Sequence, residues 1–572
     1  MRNAARYGLY CAVSTLALAG LTAAANAQVP PAQTQQAFPG RVEEQLRTPD
    51  AGPRVQPRVE VKEMAVQSAP AGADQITFVL KSLALEGVTA YSDAELHAVY
   101  ADKVGQKITL ADLYGIAADL TRKYRNDGYI LTQVVVPPQT IDGGNVRLKV
   151  VEGYIDRIEV RGDGNGKDLI EKYAMQIKTG GQAVNIRQLE RSLLLINDLP
   201  GVDARSVLSP SRTQPGAADL LIMTERNPFD AMIGADNFGT RYLGPLQVTA
   251  AGSLNSVLGL NERITAQMVM TPDHELVNEM AYFGFNYEQP LWDQGTTFEV
   301  FNSYTFTDPG YTLAQFDVSG RSAVFGARVS HPFIRSRNVN MTGRVSFDMR
   351  NTTSSNNIEP RREDKIRAIR AGGRFEFTDT LMSVAYNLMD VEVSRGLKLF
   401  GATDANDPNV SRPAAGPEFT KIEIELQRLQ RLTDSVNLLL GASGQMADGE
   451  LYSSEEFGIG GQAYGRGFDP SEIVGDDGIS GKIELQWNEP YHVELLQTYQ
   501  LYSFFDAGHI WNGDAAVPSQ ETETATSAGF GIRGNFNPMT SAGIMVAVPL
   551  NRDVATMDDQ DPRWFFNLSQ RF

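Results

Sequence analysis

The stretch ISGKIELQWN, residues 479–488, alternates without a break. Ile479, Gly481, Ile483, Leu485 and Trp487 fall on one face of an extended chain; Ser480, Lys482, Glu484, Gln486 and Asn488 fall on the other. A period of two is a strand pattern. Soluble sandwiches also alternate, so the polar face carries the information. Lys, Glu and Gln in mid-strand suit a wet lumen behind a wall that faces lipid. The last segment reads the same way, with Trp564, Phe566, Leu568 and Phe572 against Arg563, Asn567, Ser569 and Arg571. Ile369, Phe375 and Phe377 likewise oppose Arg370, Arg374 and Glu376.

From Asn227 to Phe572 helical periodicity disappears, and sixteen such segments follow one another. Each is about 10–14 residues, close to what a tilted membrane strand needs. Connections around 334–337, 378–380, 431–434 and 536–540 are tight; those around 307–320, 350–365, 395–418, 447–478, 509–523 and 551–562 are long. Alternating short and long connections mark an outer-membrane barrel, with short periplasmic turns and long outer loops. The expected fold is a membrane β-barrel of 16 antiparallel strands over 228–572. An even strand count leaves both ends of the barrel in the periplasm.

Upstream, the pattern changes. Residues 1–27 read as an export signal: Arg2 and Arg6, an apolar run from about Leu9 to Ala25, and Ala25-Asn26-Ala27 before Gln28. Cys11, the only cysteine, lies inside it, so a processed chain has no thiol or disulfide chemistry. Losing Arg2 and Arg6 takes the formal charge from −18 to −20, which disfavours nucleic acid as a partner. The five histidines are scattered without metal-ligand spacing. No metal, cofactor or catalytic residue is expected.

Residues 28–73 are rich in Pro, Gln and Ala, a linker composition. Within it, Gly40–Arg47, bracketed by Pro39 and Pro49, fits a short helix, and composition alone fits a linker equally well. Two α/β units follow, 74–155 and 156–227, each ordered β-α-α-β-β. In the first, ITFVLKSLALEGV reads as one strand and SDAELHAVYADKVG as a short helix. A longer helix follows, capped by Thr109 with Asp112 in a capping-box position and ending at Asp127-Gly128. LTQVVVPPQTI and NVRLKVVEGYI then form two strands around Asp142-Gly143-Gly144. RGDGNGKD near Gly162 fails as a phosphate loop, since no Ser or Thr follows Lys167.

Several segments resemble one family, the transporter (B) component of two-partner secretion, of hemolysin-activator type, a branch of the outer-membrane insertase superfamily. VVVPPQTIDGGNVRLKVVEGYI, with Pro138, Gln139, Gly143 or Gly144, Glu152 and Gly153, resembles the closing hairpin of the first polypeptide-transport-associated (POTRA) domain. LERSLLLINDLPGV matches the second such domain more weakly. GGQAYGRGFDPSEIVGDDG, residues 460–478, resembles the sixth outer loop, and SFFDAG, with Phe504, Asp506 and Gly508, the strand motif facing it. The family usually has valine or a similar residue where this chain has Gly465, a change expected to loosen the loop.

The resemblance implies a protein-conducting outer-membrane transporter for one large exoprotein of adhesin or hemolysin type, whose two periplasmic POTRA domains receive the unfolded partner. It also implies contact with outer-membrane lipid and lipopolysaccharide, and insertion by the barrel-assembly machinery through the terminal Phe572. The inward loop motif would be Gly465, Arg466, Gly467 and Phe468. If that loop turns into the barrel, Arg466 needs an acid, because an unpaired desolvated charge costs several kcal/mol. Asp506 is the expected partner, since Tyr502, Phe504, Asp506 and Gly508 share the lumen face of one strand. Phe468 would wedge beside the pair. Gly40–Arg47 resembles a pore-plugging helix. An assembly insertase is the nearest alternative; those proteins carry three to five POTRA domains, and this arm has room for two. A porin, a receptor and a lipase-type enzyme barrel are further alternatives.

Overall fold

The computed structural model describes residues 35–46, 59–61, 67–162, 166–177, 183–211, 213–214, 216–272, 279–358, 360–405, 407–489, 496–513 and 521–572. The expected export signal lies outside them.

The first α/β unit contains β2 (Thr77–Val79), β3 (Ser82–Glu86), α2 (Asp93–His97), β4 (Lys107–Thr109), α3 (Leu110–Asn126), β5 (Gln133–Val135) and β6 (Asn145–Val151). Helix α3 starts as its sequence predicts. Thr109 Oγ1 accepts from Asp112 N–H at 3.0 Å, and Asp112 Oδ2 accepts from Thr109 N–H at 2.8 Å. Leu113, Ile116, Ala117, Leu120 and Tyr124 form its buried stripe at helical spacing. Gly128, at φ +100°, then turns the chain out of the helix.

The segment ITFVLKSLALEGV is not one strand. β2 pairs with β4, while β3 pairs in parallel with β6 in a separate sheet ordered β3-β6-β5. Leu80, fully buried, bonds to Gln106, and Lys81 to Gly144, so the ladder changes partner between the two strands. The expected strand LTQVVVPPQTI is also shorter, ending at Val135 just before Pro137 and Pro138.

The second unit comprises β7 (Tyr154–Arg161), α4 (Lys167–Met175), α5 (Ile186–Asn197), β8 (Val202–Pro210) and β9 (Ala217–Arg226). Its sheet is ordered β1-β8-β9-β7, where β1 (Val59–Val61) comes from the Pro-rich segment and lies parallel on the edge of β8. The core packs Ile170, Tyr173, Leu189, Leu193 and Ile196 of the helices against Ile155, Leu220 and Ile222 of the sheet.

The remaining strands close into one antiparallel barrel of sixteen. They are β10 (Phe229–Asp236), β11 (Gln247–Asn255), β12 (Arg263–Met270), β13 (Met280–Leu291), β14 (Thr296–Thr307), β15 (Ser319–Arg335), β16 (Val339–Ser355), β17 (Arg362–Asp379), β18 (Ala385–Gly396), β19 (Thr420–Arg431) and β20 (Val436–Ala447). After the inserted hairpin β21 (Phe457–Ile459) and β22 (Ile473–Gly475) come β23 (Asp477–Glu489), β24 (Thr498–Trp511), β25 (Thr522–Asn535), β26 (Thr540–Pro549) and β27 (Arg563–Arg571). The last strand returns to the first, from Met232 opposite Arg571 to Asp236 opposite Asn567. The opening stretch lies in β23 with its polar face inward: Ser480, Lys482, Glu484 and Gln486 are buried, and Ile479, Ile483, Leu485 and Trp487 are exposed. Strands β15, β16 and β17 run 17, 17 and 18 residues, longer than expected, and shrink the anticipated 350–365 loop to residues 356–361.

The arm is docked on the barrel. Arg335, leaving β15, forks onto Asp198 with two bonds of 2.7 Å, and Arg337 pairs with Glu190 at 2.9 Å. Arg191 donates to the Pro332 carbonyl at 3.0 Å. These contacts fasten the second unit to one short turn.

Candidate functional site

Residues 448–476 leave β20 and rejoin the wall at β23, but run inward instead of over the mouth. Leu451, Tyr452, Phe457, Ile459, Phe468 and Ile473 are all buried. β21 and β22 stiffen this excursion as a small hairpin.

At its tip, Arg466 faces the wall. Its Nε donates to Asp506 Oδ2 at 2.9 Å and one terminal nitrogen to Asp506 Oδ1 at 2.8 Å. The other terminal nitrogen is ion-paired with Glu484 on the neighbouring strand. The guanidinium carbon lies 3.6 Å from the centre of the Phe504 ring, a cation–π contact. Asp506 is fully buried and Arg466 8% exposed, so the pair sits where charge is costly unless matched. Asp506 Oδ2 also accepts the backbone N–H groups of Gly465 (3.2 Å) and Arg466 (3.0 Å).

The flanking residues explain how the backbone gets so close. Gly465 has φ +89°, a conformation that favours glycine. Rather than loosening the tip, this residue turns its N–H onto Asp506. A Cβ on Gly467 would come 2.8 Å from Ser527 Cβ and 3.0 Å from Pro549 N; one on Gly508 would come 2.5 Å from Ile459 Cδ1. The wall glycine makes room for the loop, and the loop glycine for the wall. Phe468 packs with Phe457, Ile459, Ile473, Ile510, Ala525 and Val554.

Glu484 is an acceptor that sequence reasoning missed, because a glutamate on a lumen face looks like any other. It is also paired with Arg533 at 2.6 Å. Arg563 on β27 holds the next loop acid, Asp469, at 2.5 Å.

Residues 35–46, with the single-turn helix α1 (Val42–Gln45), lie inside the barrel against this loop. Ala37 and Val42 pack with Tyr242, Leu243, Met280 and Leu313. Arg41, fully buried, donates to the carbonyls of Ser453 and Glu456 at 3.0 Å each. Gln36 donates to Glu472 at 3.1 Å, and Glu43 pairs with Arg350 of β16.

The hairpin residues of the first unit are brought to different places. Gly143 turns at φ +63° ahead of β6, while Glu152 and Gly153 lie beyond its other end. Gln139 uses its side-chain amide as a strand partner, donating to Arg147 O at 2.7 Å and accepting from Arg147 N at 2.9 Å, with the preceding Pro138 exposed. Glu152 accepts from Thr89 N–H (2.9 Å), Ala90 N–H (3.0 Å) and Tyr124 O–H (2.8 Å). Burial pushes its pKa up, but these bonds and the Thr89 hydroxyl outweigh that and hold it below 4.5. A Cβ on Gly153 would meet Leu131 Cβ at 2.3 Å. Each of these contacts is internal to the unit.

The model of the family described as haemolysin secretion/activation protein ShlB/FhaC/HecB matches residues 216–534, more than half of the chain. The chain belongs to that family. A POTRA domain of ShlB type matches residues 78–153. The chain is 24% identical over 479 residues to the heme/hemopexin transporter protein HuxB of Haemophilus influenzae (strain 86-028NP), covering 81% of this chain and 82% of the relative. It is 23% identical over 488 residues to the outer membrane transporter CdiB of Dickeya dadantii, covering 81% of each. The solved CdiB from Escherichia coli superposes with a TM-score of 0.71 at 20% identity, over 96% of this chain and all of that one. BamA from Haemophilus ducreyi lacking POTRA domains 1–3 gives 0.50 at 13%, over 86% of this chain and all of that one. The family's barrel is an outer-membrane one, and its POTRA arm is periplasmic.

Proposed function

We propose that the chain exports a large partner exoprotein of adhesin or hemolysin type across the outer membrane by two-partner secretion. The observation that carries this reading is a closed barrel filled by its own chain, by residues 35–46 from ahead of the arm and by the inward loop between β20 and β23. A closed lumen built from detachable segments suits a pore that must open for a polypeptide and otherwise not leak. Transport, not catalysis, is the proposed activity.

The arm would receive the partner unfolded. β1 already lies as an extra strand on β8, and the Gln67 side chain bonds to Val136 beside β5. An extended substrate would bind by β-augmentation and take the place of these residues. Outer-membrane lipid and lipopolysaccharide would surround the wall, and the barrel-assembly machinery would insert it, with Phe572 at the terminus. Gly465–Phe468 with Phe504, Asp506 and Gly508 would fasten the loop in the resting state.

Deleting the chain from its host tests the reading. Loss of one large exoprotein from medium and cell surface, with other barrels assembled normally, is the expected result. Unchanged exoproteins with failed assembly of other barrels would favour an insertase.

A further inference from the structure

The inward loop hangs between two sides of the barrel. Arg466 fastens it to β23 and β24. Glu455 fastens it to the wall from β16 to β20. Arg370 of β17 donates to Glu455 Oε1 at 2.8 Å and Oε2 at 3.1 Å, and Lys421 of β19 lies 3.0 Å from Oε2. Arg370 also binds Asp348 of β16 at 2.7 Å and Ser394 of β18 at 3.0 Å. Lys421 and Gln445 of β20 donate to the Glu455 carbonyl at 3.1 and 3.0 Å. Polarity is reversed relative to the tip: here the loop carries the anion and the wall the cations. Glu455 is 2% exposed, so its charge is desolvated and is matched by the cations of the wall.

Glu455 lies between Ser453 and Glu456, whose carbonyls accept from Arg41 of the lumenal segment. Arg41 donates to Ser453 O and Glu456 O, and Gln35 to Ser453 Oγ at 3.0 Å. We infer that Glu455 is the positioning residue for residues 35–46: by tying the loop at 453–456 to Arg370 and Lys421, it presents the acceptors that keep Arg41, and with it the plug, in the lumen. This rests on the reading of residues 35–46 as a closure of the pore. Among the described residues Glu455 and Arg466 share no wall partner, so each anchor can be released alone. Arg370 keeps Asp348, and Lys421 keeps Glu423, when Glu455 is neutralised.

The test is Glu455→Gln in the full chain, read as single-channel openings in planar bilayers, with heat-modifiable mobility reporting the folded barrel. Open events should rise on the order of tenfold, a modest consequence of breaking a buried pair. In the same variant, Glu43→Cys/Ser303→Cys bridged by a short thiol-reactive linker should return openings to the wild-type level, since Ser303 of β14 lies beside Glu43. Unchanged openings for Glu455→Gln, while deletion of residues 38–47 raises them, would overturn the inference and leave the plug reading standing. Unchanged openings for the deletion itself would instead remove the plug reading. A rise that persists after bridging would mean that the loop opens by itself, and would also overturn the inference. Should Glu455→Gln fail to insert, Lys421→Met strips one cation from the same anchor and carries the same expectation.

Discussion

Gly465 gives its backbone N–H to Asp506 from a left-handed conformation, at φ +89° and 3.2 Å. A β-branched residue there strains the backbone by about 1–3 kcal/mol. Gly465→Val should therefore weaken the Arg466 anchor even though valine is the residue expected at this place in the family. Reduced export with a folded barrel is the expected outcome; wild-type export would mean that the tip rests in another conformation.

Arg466→Ala strands the buried Asp506, whereas Glu484 keeps Arg533. Breaking such a pair costs about 3–5 kcal/mol, and removing both partners costs less than the sum of the single changes. Arg466→Ala and Asp506→Ala should each lower export and detergent thermal stability, and the double variant should show positive coupling. Additive losses would refute a direct pair. Insertion itself should survive, as judged by heat-modifiable mobility.

Deleting residues 38–47 removes Arg41, α1 and the packing against Tyr242 and Leu313. Ion conductance in planar bilayers should rise. A deletion that conducts like the intact chain would dismiss these residues as a closure.

Glu152 predicts a pH effect confined to the first POTRA domain. Its folded pKa lies below its ordinary 4.5, so the carboxylate stabilises the domain above that value, and the contribution is lost as the pH falls through the lower folded pKa. Glu152→Gln should cost about 1 kcal/mol at neutral pH: its amide oxygen still accepts from Thr89, Ala90 and Tyr124 but without the charge, and the amide nitrogen turns a donor onto the Thr89 hydroxyl. The gap to wild type should narrow below pH 4.5. Hydrogen exchange in α3 and β6 of the full chain, corrected for intrinsic rates, measures both; a gap independent of pH would show that the charge is irrelevant.

Strand alternation made the barrel readable, because a lumen and a lipid face impose opposite chemistry on successive residues. The same logic put Asp506 on the inner face; that Arg466 is its partner came from the resemblance of the loop at 460–478 to the family's inward loop. It could not reach Glu484, whose pattern is that of any lumen residue, nor Arg41, whose acceptors lie about four hundred residues away in the chain. Gly465 was misread because a glycine's φ is set by what its N–H must meet, here Asp506. The break at Leu80 and Lys81 was invisible for a related reason: both flanking strands have strand composition, and only the partners Gln106 and Gly144 separate them.

Leu46 is the last described residue of the lumenal segment, and Val59 is the next, paired on β8 of the arm. The thirteen residue steps between them span at most roughly 45 Å. If residues 35–46 close the pore as proposed, they are leashed. Once pulled from the lumen they stay within that radius, and a short leash keeps their effective concentration at the mouth in the millimolar range. Closure after each exported chain would then be an intramolecular return that does not depend on how many transporters the membrane holds. Freeing β1 from β8 would lengthen the leash and slow that return, and under this reading occupation of the arm and the reclosing time of the pore would be coupled through one stretch of backbone.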